Sequence, residues 1–139
     1  MVESVTDYAT VAIDLEGRIL SWNSGAEKIF GYPKEEIIGK DFAALFTPDD
    51  RRRGVPEREL EGARDRGSAR SFRWLMRKDG SFFWALGFVN PLKDESGDLI
   101  GYFKVAREAT GEKLAEEALK KSEAQFSAIF ELAGKSWRE

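Results

Sequence analysis

The sequence predicts an α+β fold: a five-stranded antiparallel sheet with short helices on one face and a helix leading out at the C-terminus. Three observations predict it. Two strand-like runs on either side of Gly17 open the chain as a hairpin. Several short helical turns follow, each with its own start and stop residues. An Asp79-Gly80 turn then introduces a three-stranded meander. Strands, then helices, then strands, without βαβ alternation, place the helices together on one side of an antiparallel sheet.

The first strand covers residues 10–16, and Leu15-Glu16-Gly17 turns it into a second strand over residues 18–23. Asn23 or Ser24 caps a helix over 25–30, where Ala26, Ile29 and Phe30 share a face. Gly31-Tyr32-Pro33 stops it. A second helix over 34–38 carries acids in its first turn, where the helix dipole favours them, and Gly39 ends it. Residues 41–46 form a further helical turn, and Thr47-Pro48-Asp49-Asp50 caps and restarts the chain. The stretch 51–67 is highly charged, with a helix over 56–66. Its thin apolar content predicts a solvent-facing element with the least rigid packing in the domain.

The second half changes period. Residues 69–78 form a strand, Asp79-Gly80 the turn, and residues 81–92 a long apolar strand. A turn over 93–98 leads into the last strand, residues 99–107. From Thr110 to about Ala133 the pattern is helical, with Ala115, Leu119, Ser122, Phe126, Ile129 and Ala133 at steps of four and three. Such a narrow apolar seam is of coiled-coil type. Three regions result: a domain over residues 1–109, a helical linker over 110–134, and an unstructured or vector-derived end over 135–139.

Composition closes many function classes. Hydrophobic residues make up 42% and charged residues 34%, a globular balance. A net charge of -3 with both signs dispersed argues against nucleic acid, which calls for a basic face. No apolar run approaches the roughly 20 residues of a membrane span, and the N-terminus lacks a signal pattern, so a cytoplasmic location is expected. The chain has no Cys and no His. That removes disulfides, thiolate nucleophiles, a cysteinyl cofactor adduct, the commonest metal ligand and the commonest general base. No metal site, phosphate loop or nucleophile elbow occurs, and no catalytic residue is assigned.

Taken together, several segments resemble a known family. Ile13-Asp14-Leu15-Glu16-Gly17-Arg18-Ile19, Trp22-Asn23, Phe30-Gly31-Tyr32 and Glu35-Glu36-Ile37-Ile38-Gly39-Lys40 resemble the first half of a PAS domain. Arg77-Lys78-Asp79-Gly80-Ser81 followed by Trp84 resembles its central hairpin. Asp94-Glu95-Ser96-Gly97 and Arg107-Glu108-Ala109-Thr110-Gly111-Glu112-Lys113 resemble its close, with Glu108 where bacterial sensors usually carry Asp. The resemblance spans residues 3–113. Ala115-Glu116-Glu117-Ala118-Leu119 and Ser122-Glu123-Ala124-Gln125-Phe126 resemble the linker between tandem PAS domains of sensor histidine kinases. The resemblance implies an excised piece of a longer signalling protein, with an effector in cis.

PAS ligands lie between the inner sheet face and the short helices. Laid over the flavin-binding, light-sensing branch, this sequence has Phe42 at the reactive cysteine position and Leu75, Ala85 and Ala106 at the amide positions. A flavin edge there would lose its hydrogen bonds at about 1–3 kcal/mol per group. Cysteinyl-flavin and His-ligated haem are excluded, and no cofactor is predicted. The resemblance leaves an apolar chamber lined by Val11, Ile13, Phe30, Ile38, Phe42, Leu45, Leu75, Ala85, Gly87 and Ala106. It is either a filled core or a site for a small apolar ligand, and the small Ala85, Gly87 and Ala106 are the local hint of space. Arg73 and Lys104 fall on the same face by period two, either meeting an anion, ending at the surface, or pairing with Glu35 or Glu36.

The opposite face carries Phe72, Trp74, Met76, Phe82, Trp84, Leu86 and Phe88. So aromatic a surface calls for a cover. Either the residues before Thr10 and the C-terminal helix supply it, or a second subunit does. A parallel homodimer is the favoured expectation, through Trp74, Trp84, Leu86 and Phe88 and then the helix seam Ala115, Leu119, Ser122, Phe126 and Ile129. The function expected is a non-catalytic sensory and dimerisation module relaying to a downstream kinase or other effector, with a ligand-free spacer as the alternative.

Overall fold

Alternation of inward and outward side chains builds one twisted antiparallel sheet. The computed structural model describes residues 8–138, and the side chains of residues 8–133. The strands are β1 (Tyr8–Ile13), β2 (Ala69–Arg70), β3 (Arg73–Met76), β4 (Phe82–Lys93) and β5 (Leu99–Glu108). Their order is β1-β5-β4-β2, with β3 also pairing β4. Both β2 and β3 keep one register on β4, Ala69 opposite Val89 and Arg73 opposite Ala85. The expected strand over 69–78 is therefore a single edge strand interrupted at Ser71 and Phe72, and Ser71 N–H still donates to the Gly87 carbonyl at 2.9 Å.

The opening hairpin is present but shorter than expected. The Asp14 carboxylate accepts the N–H groups of Glu16 and Arg18 at 2.9 and 2.8 Å, closing a tight turn. Beyond it the pairing with β1 is short, an isolated Ile13–Ile19 bridge and Leu20 N–H donating to the Ala12 carbonyl at 2.8 Å. The same segment also pairs with residues 39–42: Ile19 N–H donates to the Lys40 carbonyl and Phe42 N–H to the Gly17 carbonyl, each at 2.8 Å. The five strands thus include the split edge strand rather than a second strand over 18–23.

Short helices cover the inner face. Helix α1 (Ser24–Phe30) is capped by Asn23, whose side-chain oxygen accepts from Ala26 N–H at 2.8 Å and Thr10 N–H at 3.0 Å, binding the helix start to β1. Helix α2 (Lys34–Ile37) is a single turn that buries Ile37. Ile38, expected in the chamber, leaves the helix in extended conformation and is 37% exposed, so Ile37 takes the inward position. A 3₁₀ turn (Phe42–Leu45) and α3 (Pro48–Arg52) lead to α4 (Val55–Arg66).

Helix α4 corrects the expectation of a solvent-facing element. Val55, Pro56, Glu59, Gly62 and Ala63 are buried at helical spacing against the sheet. The stripe consists mostly of small residues plus one carboxylate, so counting large apolar side chains understates it.

The C-terminal helix, α5 (Thr110–Arg138), belongs to a second compact unit that begins at Ala109, one residue earlier than expected. It continues through Gly134, and residues 135–138 are helical rather than unstructured. A lone Gly in a helix costs only about 1 kcal/mol relative to Ala, too little to end it.

Two tests follow from the meander. A Cβ added at Gly87 would lie 1.9 Å from the Val105 carbonyl oxygen and 2.9 Å from Ala106 Cα, both backbone atoms. Gly87→Ala is expected to cost about 2 kcal/mol or more, read from urea unfolding, because two paired strands must part to admit the methyl. In the Asp79-Gly80 turn, the Ser81 hydroxyl at 2.6 Å and its N–H at 2.9 Å hold the Asp79 carboxyl below the usual range. A lowered folded-state pKa stabilises above the unfolded value and is lost as pH falls through the folded one. Asp79→Asn should therefore reduce the acid-side fall in thermal midpoint; an unchanged acid limb would show that the turn contributes nothing to it.

Candidate functional site

The inner sheet face and the helices enclose one continuous core. Val11, Ile13, Phe30, Phe42, Leu45, Leu75, Ala85 and Ala106 belong to it, together with Phe83 and Phe46. Phe30 meets Phe83 edge-on with ring centroids 5.2 Å apart, and Phe42 meets Phe46 at 5.3 Å. Gly87, read from sequence as a hint of space, is instead accounted for by the close approach of β5. Ile38 stands outside, as described above.

At one end of this face the core turns polar. Lys104, on the inner side of β5 between Val11 and Val89, is 1% exposed. Its Nζ donates to Glu59 Oε1 and to Ser71 Oγ, each at 2.8 Å, and lies 5.0 Å from the centre of the Phe46 ring. Those three partners match its three N–H groups. The Ser71 hydroxyl passes its own proton to Glu59 Oε2 at 2.7 Å. Arg73 Nε stands 2.6 Å from the same oxygen, an ion pair in contact but not an aligned hydrogen bond. Sequence reasoning placed Arg73 and Lys104 on this face and considered an anion, a surface position or pairing with Glu35 or Glu36; the partner in the structure is Glu59. Glu36 pairs with Lys78 at 2.8 Å instead, and Glu59 and Ser71 were missed. The available signal was Glu59 falling on the inward stripe of α4, between Val55 and Ala63.

A second polar knot sits where the sheet ends. Arg77 Nη2 donates to Glu108 Oε2 at 2.9 Å, its Nε to the Ile29 carbonyl at 3.2 Å, and its guanidinium lies over the Phe83 ring at 4.8 Å. One side chain thus joins the end of α1, the β3–β4 hairpin and the last residue of β5. Glu108, longer than the usual Asp, makes this link without difficulty.

On the outer face Trp74 and Trp84 pair edge-on at 5.4 Å across β3 and β4. Those two and Leu86 are half-buried, while Phe72, Phe82 and Phe88 are exposed. The segment before Tyr8, one cover considered for this face, lies outside the described residues. On α5 the seam residues Leu119, Phe126 and Ile129 are all exposed, as are Ala115 and Ser122, and Phe126 stacks with Phe130 at 6.3 Å.

The family model described as PAS fold matches residues 1–109. This chain belongs to the PAS family. Two-component system protein A of Emericella nidulans is 40% identical over 119 residues, covering 86% of this chain and 17% of the relative. The cell-division control histidine kinase PdhS of Brucella ovis is 43% identical over 54 residues, 37% of this chain and 5% of that protein. The chain thus spans a small part of the curated relatives it matches. Among solved structures, a PAS domain from Colwellia psychrerythraea aligns with TM-score 0.71 and 27% identity, covering 78% of this chain and 94% of that one.

In this PAS domain the interior is aromatic and aliphatic, and among the described residues the buried Lys104–Glu59–Ser71 group is hydrogen-bonded within itself, with Arg73 Nε beside it lacking an aligned acceptor. Among the described residues no cluster of metal-binding side chains occurs, and no helix is long and apolar enough to cross a membrane.

The Lys104–Glu59 pair is testable. Lys104→Met leaves the buried Glu59 with Arg73 as its remaining counter-charge and the Ser71 hydroxyl as its remaining donor, and should cost about 3 kcal/mol in chemical denaturation. Adding Glu59→Gln should cost less than the sum of the two single changes, with a coupling above about 1 kcal/mol. Additive losses would show that the pair is not an energetic unit.

Proposed function

We propose that this PAS domain is a non-catalytic, cytoplasmic sensory and dimerisation module of a signal-transduction protein. It passes a change at the sheet through α5 to a downstream kinase or other effector in cis. The observation that carries this reading is the Arg77–Glu108 tie. It couples the helical layer and the β3–β4 hairpin to the residue after which the chain continues, through Ala109, into a helix with an exposed heptad seam. A shift in β5 or α1 alters that tie and, by covalent continuity, the start of the helix. Two copies pairing through Trp74, Trp84, Leu86 and Phe88 and along the seam then have a bistable element to bias.

The similarity to two-component and histidine-kinase proteins supports an effector of that class. A ligand-free spacer is the second reading, favoured by the ring-on-ring filling of the interior and by the packing role of Gly87. Under that reading the interface alone carries information.

Sedimentation velocity of the chain should show a dimer, and Leu119→Asp with Ile129→Asp should return it to monomer. A variant that stays dimeric removes the seam as the interface. Arg77→Ala should raise hydrogen exchange in the first turns of α5 about fivefold, the equivalent of roughly 1 kcal/mol for a partly exposed pair. Unchanged exchange there would remove the relay.

A further inference from the structure

Between α4 and the edge strand the surface sinks into a groove of about 380 Å³. Arg58 and Arg66 line it from the helix, Arg70 and Arg73 from the strands, and Glu59 lies at its base. Four arginines therefore line a groove that holds one carboxylate, in a chain whose net charge is -3; Arg73 is in contact with that carboxylate and Arg58 donates to the Arg53 carbonyl. That carboxylate is already engaged, since Lys104 and Ser71 hold its two oxygens from behind at 2.8 and 2.7 Å. Among the described residues neither Arg66 nor Arg70 belongs to an ion pair. Arg70 is steadied by the Phe72 ring, 4.9 Å from its guanidinium carbon. Arg73, 26% exposed, keeps a buried Nε without an aligned acceptor.

Crowded like charges repel unless a counter-charge joins them, and guanidinium forks match carboxylate and phosphate oxygens two at a time. We infer that this groove binds a compact polyanion carrying two or more phosphate or carboxylate groups. Arginines on both walls bracket the ligand, and Arg73 joins it to the Glu59–Lys104 pair in the core. The site lies apart from the apolar interior and does not rest on the helix relay, whose failure would appear in self-association and not here.

The test titrates pyrophosphate and, separately, citrate into the isotope-labelled 139-residue chain, followed by amide NMR at about 0.1 M ionic strength. Saturable single-site shifts centred on residues 55–73 are expected with at least one probe, and the probe that binds assigns phosphate or carboxylate. Arg70→Gln and Arg66→Gln, both exposed and expected to fold, should each weaken binding about tenfold. Arg52→Gln, on α3 outside the groove, should leave it unchanged. The inference is overturned if neither probe gives saturable shifts, or if Arg52→Gln weakens binding as much as Arg70→Gln, which would mean diffuse charge attraction.

Discussion

A lysine facing inward from a central strand constrains this fold more than any single hydrophobic contact. Hydrophobic burial is non-directional, so several placements of a small helix on a sheet bury similar area. The Lys104 ammonium is not tolerant in that way. Left unpaired in the core it would cost several kcal/mol. It therefore requires α4 to cross the sheet with Glu59 turned inward, the edge strand to bring Ser71 into reach, and the chain after the 3₁₀ turn to offer the Phe46 ring. One charge gathers three separate parts of the domain onto β5.

The same group marks where sequence reading succeeds and where it stops. Period two sorted the meander into inward and outward sets, because alternation is local and strong from Arg73 through Phe88. Turn and cap residues such as Asn23 and the Asp79-Gly80 pair were legible for the same reason. Partner choice was not. Lys104 and Glu59 stand 45 residues apart, and nothing local distinguishes Glu59 from the other carboxylates of a charged helix. The segment 18–23 looked like a strand because its side chains suit one, yet it shares its backbone bonds between β1, where Leu20 N–H reaches the Ala12 carbonyl, and residues 39–40, which no local pattern announces. Gly87 misled in a related way: a small residue on an inner face means either space or a close neighbour, and only β5 decides between them.

Strand β5 holds both polar assemblies. Lys104 belongs to the buried network and Glu108, on the same face four residues later, to the knot with Arg77. Between them, on that same face, Ala106 sits opposite Gly87, where β4 and β5 run too close to admit a methyl group. Two strands this close at Gly87 cannot part there without cost, which limits how far β5 can move relative to β4.

That rigidity bears on the proposed relay, in which a change at the helical layer would reach the C-terminal end. An apolar interior filled by interlocking rings has little freedom to respond to a ligand by changing volume. The charge network has more, because Glu59 divides its oxygens among Lys104, Ser71 and Arg73, and the Arg73 contact is an unaligned one at the edge of the core. Electrostatic rearrangement at the edge of the core is thus a lower-cost input than repacking its centre. In the proposed relay, the stiff β4–β5 pair would be its route to Glu108.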